Sequence, residues 1–245
     1  MSYDRALTVF SPDGHLFQVE YAMEAVKRGA IVVGIRGKDT VVLGAEMRET
    51  QELQDPRTIR KILKVDEHVA MAFAGLTADS RVLVNKARLR CQSHRLTVED
   101  APTVEWIARS IAEIQQKATS RGGRRPFGIS TLLAGHDMDG TPQLWQTDPS
   151  GNYSAWKATC TGRNSKAVRE MLEEEYQDDM TEDECLRCAC RVLLETAERG
   201  SKGIIITVMR HGQKDMDQLS KEVVMKLCAE IEKEDAEGDA KEDKK

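Results

Sequence analysis

Ile62-Leu63-Lys64-Val65-Asp66-Glu67-His68-Val69-Ala70-Met71-Ala72-Phe73-Ala74-Gly75 is followed by two helical patterns, Thr77–Gln92 and Thr103–Ala118, with no strand pattern between them. That order decides the fold class. The quoted stretch holds two short apolar runs, Ile62–Val65 and His68–Gly75, around Asp66-Glu67, which reads as a hairpin. Thr77 reads as the cap of the first helix. The second carries Val104, Ile107, Ala108, Ile111, Ala112 and Ile114 along one stripe. A doubly wound parallel sheet needs a crossover helix after each strand, so paired helices argue against it. Antiparallel sheets stacked face to face, with helix pairs over both outer faces, suit the order. This predicts an α+β protein with an α/β/β/α sandwich of four layers.

Outward from that centre the alternation repeats. Upstream, Ala30–Arg36 and Thr40–Glu46 flank Gly37-Lys38-Asp39 as another hairpin. Before it, Phe17, Tyr21, Ala22, Ala25 and Val26 recur at spacings of 4, 1, 3 and 1, one face of a helix from Leu16 to Arg28. Gly29 reads as its cap, where a positive φ costs glycine nothing. Downstream come strand-like runs at Gly128–Gly135, Gln143–Thr147 and Tyr153–Cys160, then helices at Ser165–Tyr176 and Thr181–Glu198. Thr181 and Glu184 have the spacing of a capping box. A strand at Ile204–Arg210 and a helix at Leu219–Glu232 complete the pattern. No linker interrupts it, so residues 1–233 read as one domain, with 1–14 a tail without period and 15–29 its first helix. Residues 234–245 read as a charged tail with almost nothing to bury, expected to be disordered.

Charge and composition remove several function classes. Lys plus Arg is 36 and Asp plus Glu is 41, a net charge of −5, so no electrostatic case exists for binding nucleic acid. No apolar run approaches the roughly 18–20 residues of a membrane helix, so no membrane partner is expected. No charged-then-apolar leader opens the chain, since Tyr3-Asp4-Arg5 stands there, and export is not expected. The six cysteines then belong to a reducing compartment, where structural disulfides are rare.

The short motifs carry little chemistry of their own. Cys185, Cys188 and Cys190 have part of a soft-metal spacing, but a structural site wants four ligands and no fourth Cys or His is nearby. Inside a helical pattern they read better as small buried hydrophobes. The five histidines are scattered, and neither a nucleophile elbow nor a phosphate-cradling glycine loop is present. No metal and no cofactor is expected. Arg121-Gly122-Gly123-Arg124-Arg125 reads as a solvated loop or a contact with a neighbouring subunit.

Tyr3-Asp4-Arg5-Ala6-Leu7-Thr8-Val9-Phe10-Ser11-Pro12-Asp13-Gly14-His15-Leu16-Phe17-Gln18-Val19-Glu20-Tyr21-Ala22 closely resembles the N-terminal signature of proteasome alpha subunits. The resemblance continues through Ala74-Gly75-Leu76-Thr77-Ala78-Asp79, Arg125-Pro126-Phe127-Gly128 and Asp148-Pro149-Ser150-Gly151, and covers the chain up to the charged tail. The stretch Cys91–Asp100 and the start Met1-Ser2-Tyr3 are most similar to the type that takes the fourth alpha position of the ring. The family fold is the four-layer sandwich of N-terminal nucleophile hydrolases, which matches the class read from the helix pairs.

The resemblance implies a subunit of the outer seven-membered ring of the 20S core, without its own active site. The implied partners are other alpha subunits, beta-type subunits, and a regulatory ATPase cap or other activators. The implied setting is ubiquitin-dependent protein degradation in cytoplasm and nucleus. Tyr3, Asp4, Arg5, Pro12 and Tyr21 match the family's gate positions. Lys61, Gly14, Glu20, Gly75 and Leu76 match a pocket between neighbouring subunits that takes an activator's C-terminal carboxylate. Read alone, Lys61 is one exposed lysine among many. The alternative is an active N-terminal nucleophile peptidase. That chemistry needs a Thr, Ser or Cys as the first residue at the start of the first strand, so that its own amine serves as base. Here that strand begins near Ala30, behind a tail and a helix, without Thr or Ser at its first positions.

Overall fold

A computed structural model describes residues 9–47, 53–55, 58–196, 200–213 and 215–242, without the side chains of 202 and 235–242. The chain runs α1 (Phe17–Lys27), β1 (Val32–Arg36), β2 (Thr40–Glu46), β3 (Ile62–Asp66), β4 (Val69–Gly75), α2 (Thr77–Val98) and α3 (Val104–Ser120). It continues with β5 (Ile129–His136), β6 (Pro142–Thr147), β7 (Tyr153–Ala155), β8 (Ala158–Thr161), α4 (Ser165–Glu175), α5 (Glu182–Thr196), β9 (Ile204–Arg210), β10 (Asp217–Gln218) and α6 (Lys221–Glu242). The strands form two antiparallel sheets, ordered β10-β9-β2-β1-β8 and β3-β4-β5-β6-β7.

The two-residue period of a strand sends alternate side chains into different layers. Along β4, Val69, Met71 and Phe73 face outward against Leu83, Ala87 and Cys91 of α2 and Ile107 and Ile111 of α3. Ala70, Ala72 and Ala74 face inward, where Leu43, Ala45, Leu132 and Leu144 fill the space between the sheets. The outer face of the other sheet presents Ile31, Val33 and Ile35 to α4, α5 and α6. With both faces covered, these strands read as almost unbroken apolar runs. The result is the four-layer α/β/β/α sandwich that the helix pairs predict.

Several local expectations change. Tyr153–Cys160 is not one strand: β7 pairs with β6 in one sheet and β8 pairs with β1 in the other. The chain crosses between sheets at Trp156-Lys157, which a single apolar run does not reveal. Thr77 is not a side-chain cap; Leu76 takes that position, and the Thr77 carbonyl accepts from Ser80 Oγ at 2.7 Å. Gly29 is absent from the positive-φ residues, so its need for glycine is spatial. On α1 the buried face is Val19, Ala22 and Val26, while Phe17 and Tyr21 lie on its outer side. The last helix continues to Glu242 instead of ending at Glu232, through a run rich in helix-forming Ala, Glu and Lys. Thr103 and Thr181 do cap: Thr103 Oγ1 accepts from the Trp106 N–H at 3.1 Å, and Thr181 and Glu184 form the reciprocal box.

The sequence motifs around Asp79 and Arg125 meet in space. Arg125 donates to both oxygens of Asp79 at 2.7 and 2.8 Å, and the Gly128 N–H donates at 3.0 Å. Arg125 is therefore a tie between the 121–128 loop and the first turn of α2, not merely part of a solvated connection. Burial pushes the Asp79 carboxyl up, but the Arg125 and Gly128 hydrogen bonds outweigh it and hold the group below its ordinary value. A carboxylate whose native pKa is depressed contributes stability above its unfolded pKa, and loses it as pH falls through the native value. Arg125→Ala should cost about 1–2 kcal/mol near neutral pH, below a fully buried charge pair because Arg125 is half exposed. Urea titrations should show the difference from wild type shrinking as pH falls below about 4. A difference independent of pH would refute the tie.

Candidate functional site

The start of the described chain is organised by a small turn. The Ser11 N–H donates to the His15 carbonyl at 2.9 Å, and the His15 N–H donates to Ser11 Oγ at 3.0 Å. Pro12 lies exposed in that turn, and Gly14 closes it with φ +82°, a conformation that favours glycine. The His15 ring stacks on Phe17 at 5.9 Å, and Phe17 stacks on Tyr21 at 6.5 Å. Glu20 sits beside this column, its Oε1 2.6 Å from His15 Nδ1. Thus Pro12 and Gly14 in the turn before α1, and Glu20 and Tyr21 on its N-terminal half, lie at one exposed end of the helix. Tyr21 is 48% exposed, so this aromatic column is open to a neighbour. Tyr3, Asp4 and Arg5 lie outside the described residues.

Lys61, Gly75 and Leu76 form a second group. Ile62 pairs with Ala72, which sets Lys61 beside Phe73. Lys61 Nζ lies 4.8 Å from the centre of the Phe73 ring, and Lys61 is 8% exposed. The expectation of an ordinary exposed lysine is therefore corrected: the residue is buried with its ammonium over an aromatic ring, a favourable place for that charge. Lys61 also borders a cleft of about 520 Å³ between β3 and the β9–β10 edge, lined by Met47, Ile59, Ile204, Met216 and Leu219.

Gly75 ends β4 with φ +115°, and a Cβ there would overlap the Gly128 carbonyl oxygen. A Cβ on Gly29 would overlap the Gly75 amide nitrogen. The Leu76 N–H donates to the Gly128 carbonyl at 3.0 Å, and Leu76 itself is 45% exposed. The C-terminal end of α1 therefore seats on the end of β4, beside Leu76. Gly14 and Glu20 belong to the other end of the helix, which spans about 16 Å for eleven residues at 1.5 Å each. The five pocket candidates fall into two groups within one chain, joined only along α1.

The third feature is the start of β1. The Gly29 carbonyl accepts from the Arg163 N–H at 2.8 Å, and the Ile31 carbonyl accepts from the Glu46 N–H at 3.0 Å. The Glu46 carboxylate is buried and takes Arg163 Nη2 at 2.8 and 2.9 Å. Ala30, Ile31 and Val32 are buried and carry no hydroxyl or thiol. A peptide chain passes through the place where an N-terminal nucleophile would sit, and cleavage before Ala30 would expose only a methyl group. The ion pair Glu46–Arg163 joins residues too distant in sequence for any local spacing to suggest.

The cysteine triplet lies elsewhere, on α5. Cys185, Cys188 and Cys190 are buried in the core against β1 and β2. Burial pushes the Cys185 thiol up to about 11 and the Cys188 thiol up to about 12, so neither is thiolate near neutrality. Among the described residues, no group of three or more His, Cys, Asp or Glu side chains is placed to hold a metal. Of the same residues, no helix is long and apolar enough to cross a membrane.

Comparison with known proteins gives this geometry a family. Residues 26–209 match the family model for proteasome subunits, and residues 3–25 match the N-terminal signature of the A-type proteasome subunits. The chain is 59% identical over 232 residues to the alpha type-7 proteasome subunit of Dictyostelium discoideum, covering 95% of this chain and 92% of that protein. It is 56% identical over 245 residues to the alpha type-7-like proteasome subunit of Macaca fascicularis, covering 99% of this chain and 98% of that one. The alpha type-8 proteasome subunit of Mus musculus is 54% identical over 245 residues, with the same coverage. The N-terminal signature, the full-length likeness and the sandwich agree: the chain belongs to the proteasome subunit family, as an alpha-type member.

Proposed function

We propose that this chain is a non-catalytic ring subunit of the 20S core that helps gate substrate entry and docks activators during ubiquitin-dependent protein degradation. One observation carries the reading. The start of β1 lies inside the chain, closed by α1, hydrogen-bonded to Arg163 and without a nucleophile. A sandwich of this family without that group serves as scaffold. Its partners in this reading are the other alpha subunits of a seven-membered ring, beta-type subunits, and a regulatory ATPase cap or another activator. It works in cytoplasm and nucleus.

The two ends of α1 support a division of labour. The gate role belongs to Tyr3, Asp4, Arg5, Pro12 and Tyr21, at and before the helix N-terminus. The docking role belongs to Lys61, Gly75 and Leu76 of one subunit, completed by Gly14 and Glu20 of its neighbour. The separation of these groups along α1 favours a pocket shared between chains over one inside a single chain. An ammonium ion is a compact charge suited to one carboxylate.

Three measurements follow. Purified free of beta-type subunits, the chain should leave fluorogenic peptides intact; turnover that survives their removal would overturn the assignment. Deleting residues 2–10 should raise basal peptide hydrolysis by the assembled particle without preventing assembly, and equal turnover would remove the tail from the gate. Lys61→Ala should weaken a carboxylate-tipped activator by about 1.5–3 kcal/mol at this pocket, the size of a lost charge-assisted hydrogen bond. Binding titrations on intact rings whose pocket is occupied in the wild type would read that loss, and unchanged affinity would exclude the role.

A further inference from the structure

A groove of about 670 Å³ runs between α2, α3 and the loop after α3. Its floor is apolar, with Ile114 and Phe127. Its walls carry six cationic side chains and one carboxylate, Asp79. Two carboxylates offset part of this charge: Asp79 pairs with Arg125, and Glu113 at the border is shared by Arg90 and Lys117. Lys86 lies 5.7 Å over the Phe127 ring and makes no ion pair among the described residues. Arg121 and Arg124 are exposed and make none there either. Six cations against two carboxylates leave a surplus of four positive charges along one groove of a chain whose net charge is −5.

The loop also leaves its backbone accessible. Gly122 and Gly123 have open space where a Cβ would stand, so another chain can approach their peptide groups closely. The same loop leads to Gly128, whose added Cβ would contact Leu76 and lie 3.6 Å from Cβ of Ala25 in α1. The loop that walls the groove thus ends beside α1.

We infer that this groove binds an acidic, unfolded stretch of an entering polypeptide, held by Lys86, Arg121 and Arg124. Carboxylates meet the three cations that make no ion pair among the described residues, while intervening apolar side chains rest on Ile114 and Phe127. A nucleic acid fits less well: base stacking needs a free aromatic face, and Lys86 already covers Phe127. The location on the entry route rests on the gate reading above; the groove's charge does not.

Fluorescence anisotropy on the full chain, with a labelled Glu-rich peptide and a Lys-rich control, tests the groove itself. The double variant Arg121→Glu, Arg124→Glu should bind the Glu-rich peptide about tenfold more weakly at low salt, with the difference shrinking as salt rises. Both side chains are exposed, so the thermal midpoint should not move, and that measurement controls for folding. No binding of the Glu-rich peptide, or equal binding by the variant, overturns the inference. Binding of single-stranded RNA at least as tight, with the same response to the variant, overturns it too, by showing a general polyanion surface. In assembled particles the variant should slow degradation of an acidic unfolded substrate relative to a basic one. An unchanged ratio with weakened peptide binding overturns the placement on the entry route. Failure of the ring reading would appear separately, as absence of the particle.

Discussion

Three glycine backbones set the geometry of this molecule. Gly29, Gly75 and Gly128 are stacked so closely that a Cβ on the first would overlap the second, and a Cβ on the second would overlap the third. This contact lets the end of α1 rest directly on the end of β4. It places the helix over the entrance to the sandwich and routes the chain into β1 through a buried segment. Closed that way, the start of β1 holds structural polar groups, Glu46 and Arg163, instead of reactive ones. A side chain at Gly29 or Gly75 would push the helix off its seat.

The rest of the sandwich accommodates that seat. Alanines at 70, 72 and 74 keep the inner face of β4 flat, so the sheets approach closely where α1 lands. Larger side chains on the outer face of β4 anchor α2 and α3. The Asp79–Arg125 pair then pins the loop that carries Gly128. Packing thus fixes one end of α1 and leaves its other end, with the His15–Phe17–Tyr21 column, at the surface. The proposed gate uses the exposed end of α1, and the proposed pocket joins the seated end in one subunit to the exposed end in its neighbour.

Much of this was legible in the sequence because a period is a local property. Strand alternation and paired helical stripes identify the sandwich without reference to any relative, and the glycines and arginines of the quoted motifs mark where it is tied. What escaped was set by tertiary partners. Phe17 and Tyr21 have helical spacing, but which α1 face is buried depends on where β4 and β5 lie; Val19, Ala22 and Val26 form that face. The run 153–160 looks continuous because both halves are strand, yet they belong to different sheets. Lys61 reads as surface by composition and is buried because Phe73 lies beside it in the ladder. Asp79 and Arg125 are 46 residues apart, so their motifs are visible and their ion pair is not.

In the proposed role this sandwich, sealed at its first strand, is built for assembly and not for its own chemistry. The native mass of the particle purified through this chain tests that claim most directly. The expected result is a complex many times the 27.4 kDa of one chain, with beta-type subunits in fixed proportion to it. A stable, active monomer of 27.4 kDa with no beta-type partner would contradict it.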